Sequence, residues 1–488
     1  MRTLRRIFLG AVAMSAPAVL AMPAKAAGAS DPRVTVLEQQ LRDVQRQLAE
    51  IRRRQTAPAN TPPVTATQLA DAQRANAQQY AALKKRMDEQ PHLGFGNGRL
   101  SIASRDGAFN LSLRSLVQFD AGYFSQGRGP AGVDLNSGTN FRRAQISLVG
   151  TAWKDWSYNF TYDFGGNGVE KNGYIYTASL QYNFAPFAVR LGAFAPPAGL
   201  DDSTSASNLV FLEWSSPADI ARNIGGAPSR EGFNVYAQGE RYLASVAITG
   251  TKATDASHFD EQIALVSRAA YLAVDRDNMK WLLDADLTHV FKMSDAAAGP
   301  NSPSMLRLAD GPEVAIDSYR TVDTGAFPAD TLTEWGLETA VQSGRFYAQG
   351  GYFHFAVGRN STLPDPEFSG WYAQTAFSLT GEPRRYDAAV ASFAGPTPAH
   401  PLGRDGFGAW EIAARYSVID LAFDPFAGPA AGGVAGGRQS IMTAALNWYP
   451  TAGLRFMLDY ENMQVNHVEA RSKDLSANIG ILRSQIAL

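Results

Sequence analysis

From about Phe95 to the C-terminus the chain alternates between apolar and polar side chains in segments of about ten residues. Successive side chains of a strand point to opposite faces, so a period of two belongs to strands and not to helices. One segment sets Trp156, Tyr158, Phe160, Tyr162 and Phe164 against Ser157, Asn159, Thr161 and Asp163. The next sets Tyr174, Tyr176, Leu180, Tyr182 and Phe184 against Thr177, Ser179, Gln181 and Asn183. A soluble sandwich with its apolar face inward would show the same alternation, as would a barrel in lipid with that face outward. Two features point to the barrel. Many apolar faces begin or end on Tyr or Trp, as interfacial girdles require. The connections also alternate in length: long at Gly127–Thr139, Pro196–Ala227, Asp295–Pro303, Val357–Glu367 and Pro425–Gly437, tight at Ala185–Phe187 and Ser343–Arg345.

Composition agrees. No run of about 18 apolar residues follows the N-terminal leader, which argues against membrane-spanning helices. In lipid only helices or closed barrels satisfy every backbone hydrogen bond. At about 24 residues per strand and connection, the stretch from Phe95 onward gives about sixteen strands, with Gly480–Leu488 closing the barrel. The fold class is therefore all-β, a transmembrane antiparallel barrel, preceded by an α-helical coiled-coil segment.

The N-terminal region reads as three pieces. Residues 1–26 form a signal peptide: Arg2, Arg5 and Arg6, an apolar stretch from Ile7 to Leu20, then Ala24-Lys25-Ala26 as the cleavage site. Residues 27–92 form a periplasmic stalk. In it Val34, Leu37, Leu41, Val44, Leu48 and Ile51 are spaced 3, 4, 3, 4, 3, the a/d seam of a coiled coil. Three heptads are marginal alone in water, so the helix is expected to associate with copies of itself. Pro58, Pro62 and Pro63 mark a linker over 56–66. A second helical stretch, rich in Ala and Gln, runs from Thr67 to Glu89 and carries Leu69, Tyr80, Leu83 and Met87. Residues 93–488 form the barrel.

Strand parity places the charges. A charge on the lipid face at mid-depth costs about 2–4 kcal/mol, so charged strand residues point into the lumen. Ala144, Ile146 and Leu148 face lipid, which sends Arg143, Gln145 and Ser147 inward; Arg142 lies beside them at the strand start. The same argument turns Arg114, Arg190, Arg268, Arg415, Arg455 and Arg483 inward, together with Asp120, Asp163, Asp284, Asp286, Glu411 and Asp459. The basic residues are lopsided, 35 Arg against 9 Lys, and Arg presents a flat fork matched to carboxylate and phosphate oxygens. A GC-rich genome accounts for that bias equally well. Net charge is −2, and implies no nucleic-acid partner.

Several segments, in order, resemble one family. Asn140-Phe141-Arg142-Arg143-Ala144-Gln145-Ile146-Ser147 with Asp155-Trp156-Ser157-Tyr158 is similar to the early strands of the phosphate-selective porin O and P family. So are Ser378-Leu379-Thr380-Gly381-Glu382-Pro383-Arg384-Arg385-Tyr386, and Gly408-Ala409-Trp410-Glu411 through Arg415-Tyr416-Ser417 to Asp420-Leu421. Leu446-Asn447-Trp448-Tyr449-Pro450 and Glu313 with Asp323-Thr324-Gly325 complete the set. The resemblance implies a sixteen-stranded homotrimer in the bacterial outer membrane. It also implies a loop folded into each pore and a basic lumen that attracts anions. The stretch near 195–227 is the candidate pore loop, with Glu213 and Arg222 at the constriction. Relatives often carry Lys before Pro where Ala195 precedes Pro196, and a basic residue where Trp214 follows Glu213. The implied preference is thus for small anions, phosphate or others.

No cofactor, metal or catalytic residue is expected. The chain has no Cys, its six His show no ligand spacing, and neither G-x-S-x-G nor H-E-x-x-H occurs. The predicted function is passive diffusion of small anions through a constriction lined by Arg142, Arg143, Arg114, Arg190, Arg222, Arg268 and Glu213. The alternative is a structural protein linking the outer membrane to the cell wall through its stalk.

Overall fold

The computed structural model describes residues 91–488, except 97–98, 166–172, 254–259, 298, 300–301 and 404–405, together with 65–89 and residues 45–46, 49–50 and 53. The expected signal peptide and nearly all of the expected heptad seam and Pro-rich linker lie outside the described residues. Two compact units divide near Met87.

In the first unit, α1 spans Ala66–Glu89. It opens on a capping box: the Gln68 amide N–H donates to Thr65 Oγ1 (3.4 Å), and the Thr65 N–H donates to Gln68 Oε1 (3.2 Å). Leu69, Tyr80 and Leu83 are exposed along it.

The second unit holds one sheet of eighteen strands. Two of them, His92–Gly96 and Arg99–Ala103, form a hairpin that joins the first barrel strand. The other sixteen close on themselves. They are β1 (Asn110–Arg128), β2 (Gly138–Ala152), β3 (Trp156–Asp163), β4 (Tyr174–Phe184), β5 (Phe187–Phe194), β6 (Arg230–Gln238), β7 (Tyr242–Lys252) and β8 (Ile263–Arg276). Then follow β9 (Met279–Lys292), β10 (Thr331–Ser343), β11 (Phe346–Gly358), β12 (Glu367–Ser378), β13 (Ala409–Phe423), β14 (Val434–Thr451), β15 (Leu454–Asn466) and β16 (Leu475–Ala487). Each is antiparallel to its neighbours. β16 closes onto β1 from Leu116↔Ala487 to Arg128↔Ser476, which leaves no free edge in the ring.

Which face is buried decides between sandwich and membrane barrel. Many large apolar residues of the strands are exposed: Leu148, Phe160, Leu191, Leu283, Leu337, Met442, Leu458 and Leu482 among them. Arg143, Asp284, Glu411, Asp459 and Arg483, which face the other way, are buried. That is the inverse of a water-soluble protein and fits a lipid-facing exterior. Cross-strand aromatics ring the turn end, in the chains Trp156–Tyr182–Phe184–Phe187 and Trp410–Trp448–Phe456. Leu482 pairs with Leu458 in this outer face, and each is 51% exposed. Leu482→Arg is therefore expected to destabilise the barrel by about 2–4 kcal/mol, read by urea unfolding in lipid vesicles. A change within about 0.5 kcal/mol, usual for an exposed site in water, would contradict a lipid-facing position.

The structure corrects several details of the sequence reading. The connection expected at Asp295–Pro303 runs from Met293 to Asp330 and bears short pairings, among them Met305–Leu306 with Phe327–Pro328 and Ala309–Asp310 with Val322–Asp323. The sixteen-strand ring begins at Asn110, and the hairpin before it pairs with its first strand in the same sheet. Most turn-end connections have two or three residues, but Leu379–Gly408 is long and carries its own small hairpin, Arg385–Asp387 with Ser392–Ala394. Tyr174 does not share a face with Leu180. The register slips between Thr161 and Tyr162, so Tyr176 is the extra residue of a bulge and Tyr174 pairs with the lumenal Asp163.

The interior is also not uniformly polar. Toward the loop end Phe353, Phe355, Ile419, Ile441, Met463, Ile479 and Ile481 point inward. There they meet Leu212, Ile220 and Ile224 of one loop, and Leu306, Val314 and Ile316 of another. Those loops are packed into the barrel by an apolar core.

Candidate pore constriction

The β5–β6 connection, Ala195–Ser229, enters the lumen. Gly199, at φ +108°, turns it into the short helix α2 (Leu200–Ser203). It ends with α3 (Ser216–Gly225), which starts with Pro217 in its first turn. Asp201 ties the two together: its Oδ2 accepts from both the N–H and the Oγ–H of Ser215, each at 2.9 Å.

Between the helices the chain is extended, and its carbonyls need donors. The barrel wall and the Leu379–Gly408 connection provide them. Gln118 donates to the Ala206 carbonyl (3.1 Å), Gln485 to Ser207 (3.1 Å), and Arg384 to Asn208 (2.8 Å). Val210 accepts from Asn447 (2.9 Å) and Arg455 (3.2 Å). Leu212 accepts from Arg483 (2.5 Å) and Glu213 from Arg415 (2.9 Å). Arginines that strand parity turned into the lumen are thus engaged in holding a loop. Carboxylates offset them: Glu411 pairs with Arg384 (2.8 Å), Glu313 with Arg415, and Asp120 with Arg483 (2.6 Å). Glu313 comes from the Met293–Asp330 connection, and its Oε1 also accepts from the Ser216 N–H (2.7 Å) and the Ser417 hydroxyl (2.6 Å).

Where this loop crosses β1, β2 and β16, three guanidiniums converge on the Glu213 carboxylate. Arg142 reaches it with Nε and Nη2, each at 3.0 Å. Arg143 reaches it at 3.1 and 2.9 Å, and Arg483 at 2.8 Å. Consecutive strand residues normally face opposite ways. Here the register slips between Gln118 and Phe119, opposite Arg143 and Phe141, so Arg142 is the extra residue of a bulge and both arginines face inward. With Asp120, the cluster counts three cations against two carboxylates. Arg143 and Arg483 are buried, whereas the Arg142 side chain keeps 17% of its surface exposed. Trp214 lies next to them, with the Arg143 guanidinium 5.1 Å and the Arg222 guanidinium 4.0 Å from its ring centre.

The other expected pore residues lie elsewhere. Arg222, on α3, is buried against Asp202 and Asp219 and reaches the cluster only through Trp214. Arg190 donates to Gln181 (2.9 Å) and lies over the Phe194 and Tyr236 rings. Arg114 is exposed near the start of β1, across from Ser147. Arg268 is buried, paired with Asp284 (2.7 Å), and donates to the carbonyls of Val390 (2.8 Å) and Ala391 (2.7 Å), so it secures the Leu379–Gly408 segment. The sequence reading gave no lumenal role to Arg384 or Glu313. Both stand inside motifs that carried the family resemblance, but on connections, where parity has no meaning.

The family model for the phosphate-selective porin O and P family matches residues 109–487. Porin O of Pseudomonas aeruginosa is 26% identical over 396 residues, covering 77% of this chain and 88% of that protein. An uncharacterized protein of Caulobacter vibrioides is 26% identical over 369 residues, 74% of this chain and 70% of its own length. Among solved structures, an anion-selective porin from Comamonas acidovorans superposes with a TM-score of 0.45 at 10% identity, over 78% of this chain and all of that one.

Proposed function

The chain belongs to the phosphate-selective porin O and P family, and from that premise we propose that this outer-membrane porin passes small anions through the constriction at Arg142, Arg143, Arg483 and Glu213. The observation that carries the reading is the convergence of three guanidiniums on one loop carboxylate, with 17% of the Arg142 side chain still exposed. A net positive constriction concentrates anions, and Glu213 moderates it. Family membership favours passage of solutes over a purely anchoring role.

Phosphate is one candidate among small anions. Guanidinium groups are donors suited to an oxyanion, and here the Arg142 fork is shared with Glu213. Against tight phosphate binding stand the buried acids of the wall and the fixed partners of Arg268, Arg384 and Arg415. Single-channel conductance with reversal potentials in asymmetric KCl tests the proposal. A preference for chloride over potassium is expected, and a preference for potassium would end the anion reading. Block by micromolar phosphate would single out phosphate as the substrate.

The N-terminal region is proposed as a cleaved signal peptide, residues 1–26, followed by a periplasmic coiled-coil stalk that supports a homotrimer. The heptad seam from Val34 to Ile51 and the exposed Leu69, Tyr80 and Leu83 of α1 support this. A peptide of residues 31–55 that stays monomeric and unfolded at high concentration would count against it.

A further inference from the structure

On the wall formed by β9 and β10, six buried side-chain oxygens have no hydrogen-bond partner: Asp284 Oδ1, both oxygens of Asp286, both of Glu334, and the Thr288 hydroxyl. Asp284 pairs across the two strands with Glu338, Asp286 with Gly336, and Thr288 with Glu334. Alternation then turns all of them to the same, lumenal side, with Glu334 diagonal to Asp286. One carboxylate oxygen each from Asp284, Asp286 and Glu338 lie within 4.8 Å of one another. The arrangement is roofed by the pore loop: the Leu200 N–H donates to Glu338 Oε2 (2.5 Å) and the Asp201 N–H to Oε1 (3.1 Å).

Two glycines make room for it. A Cβ at Gly336 would fall 2.4 Å from Asp286 Oδ1, and one at Gly199 would fall 2.6 Å from Glu338 Oε2. Four carboxylates face a single paired cation, Arg268. Buried charges without partners or donors are costly, so such a group either takes up protons or binds a cation. Thr288, 1% exposed, sits directly across from Glu334 and adds a hydroxyl oxygen to the set. An all-oxygen set with several carboxylates suits a hard divalent ion, and a site of six or more oxygens on flexible geometry suits calcium over magnesium.

We propose that Asp284, Asp286 and Glu338, flanked by Glu334 and Thr288, bind a divalent cation of the calcium class that clamps the pore loop to the β9–β10 wall. The ion joins the strand pair to the turn at Gly199–Asp201, the segment that aims the rest of the loop at the constriction. It also cancels most of a local charge of minus three, counted as four carboxylates against Arg268. That second consequence, and only that one, rests on the anion-porin reading.

The test uses full-length protein refolded in detergent, free of lipopolysaccharide, stripped with EDTA and then titrated with calcium chloride. Bound calcium is measured by elemental analysis after desalting, and unfolding by the heat-modifiable gel shift. About one calcium per chain is expected for the wild type, with loss of that calcium in Asp286→Asn and Glu338→Gln. EDTA should lower the wild-type unfolding midpoint by several degrees and leave that of Asp286→Asn unchanged. Absence of stoichiometric calcium in the wild type at millimolar concentration would overturn the proposal, and so would equal calcium in the wild type and a folded Asp286→Asn. If a variant fails to fold, the wild-type stoichiometry decides alone. Reversal potentials on the same samples separate the two readings: bound calcium with potassium preference removes the anion reading and leaves the site standing.

Discussion

Replacing Arg142 and Arg143 together by Ala is expected to cut the anion-to-cation permeability ratio by about tenfold or more at low salt. Three guanidiniums and two carboxylates give the proposed constriction a net charge of plus one; removing two guanidiniums makes it minus one. A unit charge roughly 4 Å from a passing ion is worth about 1 kcal/mol in water, and about 1.4 kcal/mol is a factor of ten. Two charges are worth about 2 kcal/mol, with opposite sign for an anion and a cation, so the ratio can move by up to about three orders of magnitude before screening. At 1 M salt the Debye length is about 3 Å and the difference should shrink. Glu213→Gln supplies the opposite arm and should strengthen anion preference. Wild-type reversal potentials in the double-Ala variant, at low salt, would show that ions do not pass this cluster.

Arg483→Ala is expected to be the most destabilising single change at the site, by about 3–5 kcal/mol, the range for leaving buried ion-pair partners unmatched. Arg483 stands opposite Asp120 in the pairing of β16 with β1, so it joins the two ends of the chain across the closing seam. It donates to both Asp120 oxygens (2.6 and 2.7 Å), to Glu213 (2.8 Å) and to the Leu212 carbonyl (2.5 Å). One truncation therefore strands a wall carboxylate and removes two of the ties between the wall and the pore loop. The expected signs are a lower midpoint in urea and larger, noisier single-channel currents. Adding Asp120→Ala to Arg483→Ala should recover part of the stability, because it removes one orphaned charge. A double variant less stable than Arg483→Ala alone would argue that the pair adds nothing to seam or loop.

Much of the barrel was legible in the chain because a membrane reverses the usual pattern and then repeats it. The outward positions of β3, β15 and β16 must be apolar, so Phe160, Leu458 and Leu482 mark their strands, and the residues between them must face the lumen. That logic turned Arg143, Arg190, Arg415, Arg455 and Arg483 inward without knowledge of the strand neighbours. It worked less well near the loop end, where Phe353, Phe355, Ile479 and Ile481 point inward although apolar, because a loop inside the barrel offers them an apolar partner.

What the sequence by itself determined was the local alternation, the approximate number of strands, and the side to which most charges point. Each depends only on near neighbours and on the surrounding lipid. What those charges touch was decided only by the tertiary structure. Arg268 and Arg483 have the same residue type and the same inward parity. Yet one secures the Val390–Ala391 turn and the other joins the loop carboxylate of Glu213. Arg142 and Arg143 face inward together only because a residue is added opposite Gln118 and Phe119, and a bulge is a property of two paired strands. The partners of Glu213 come from β2 and from β16, more than three hundred residues apart in the chain, and no period in the sequence spans that distance.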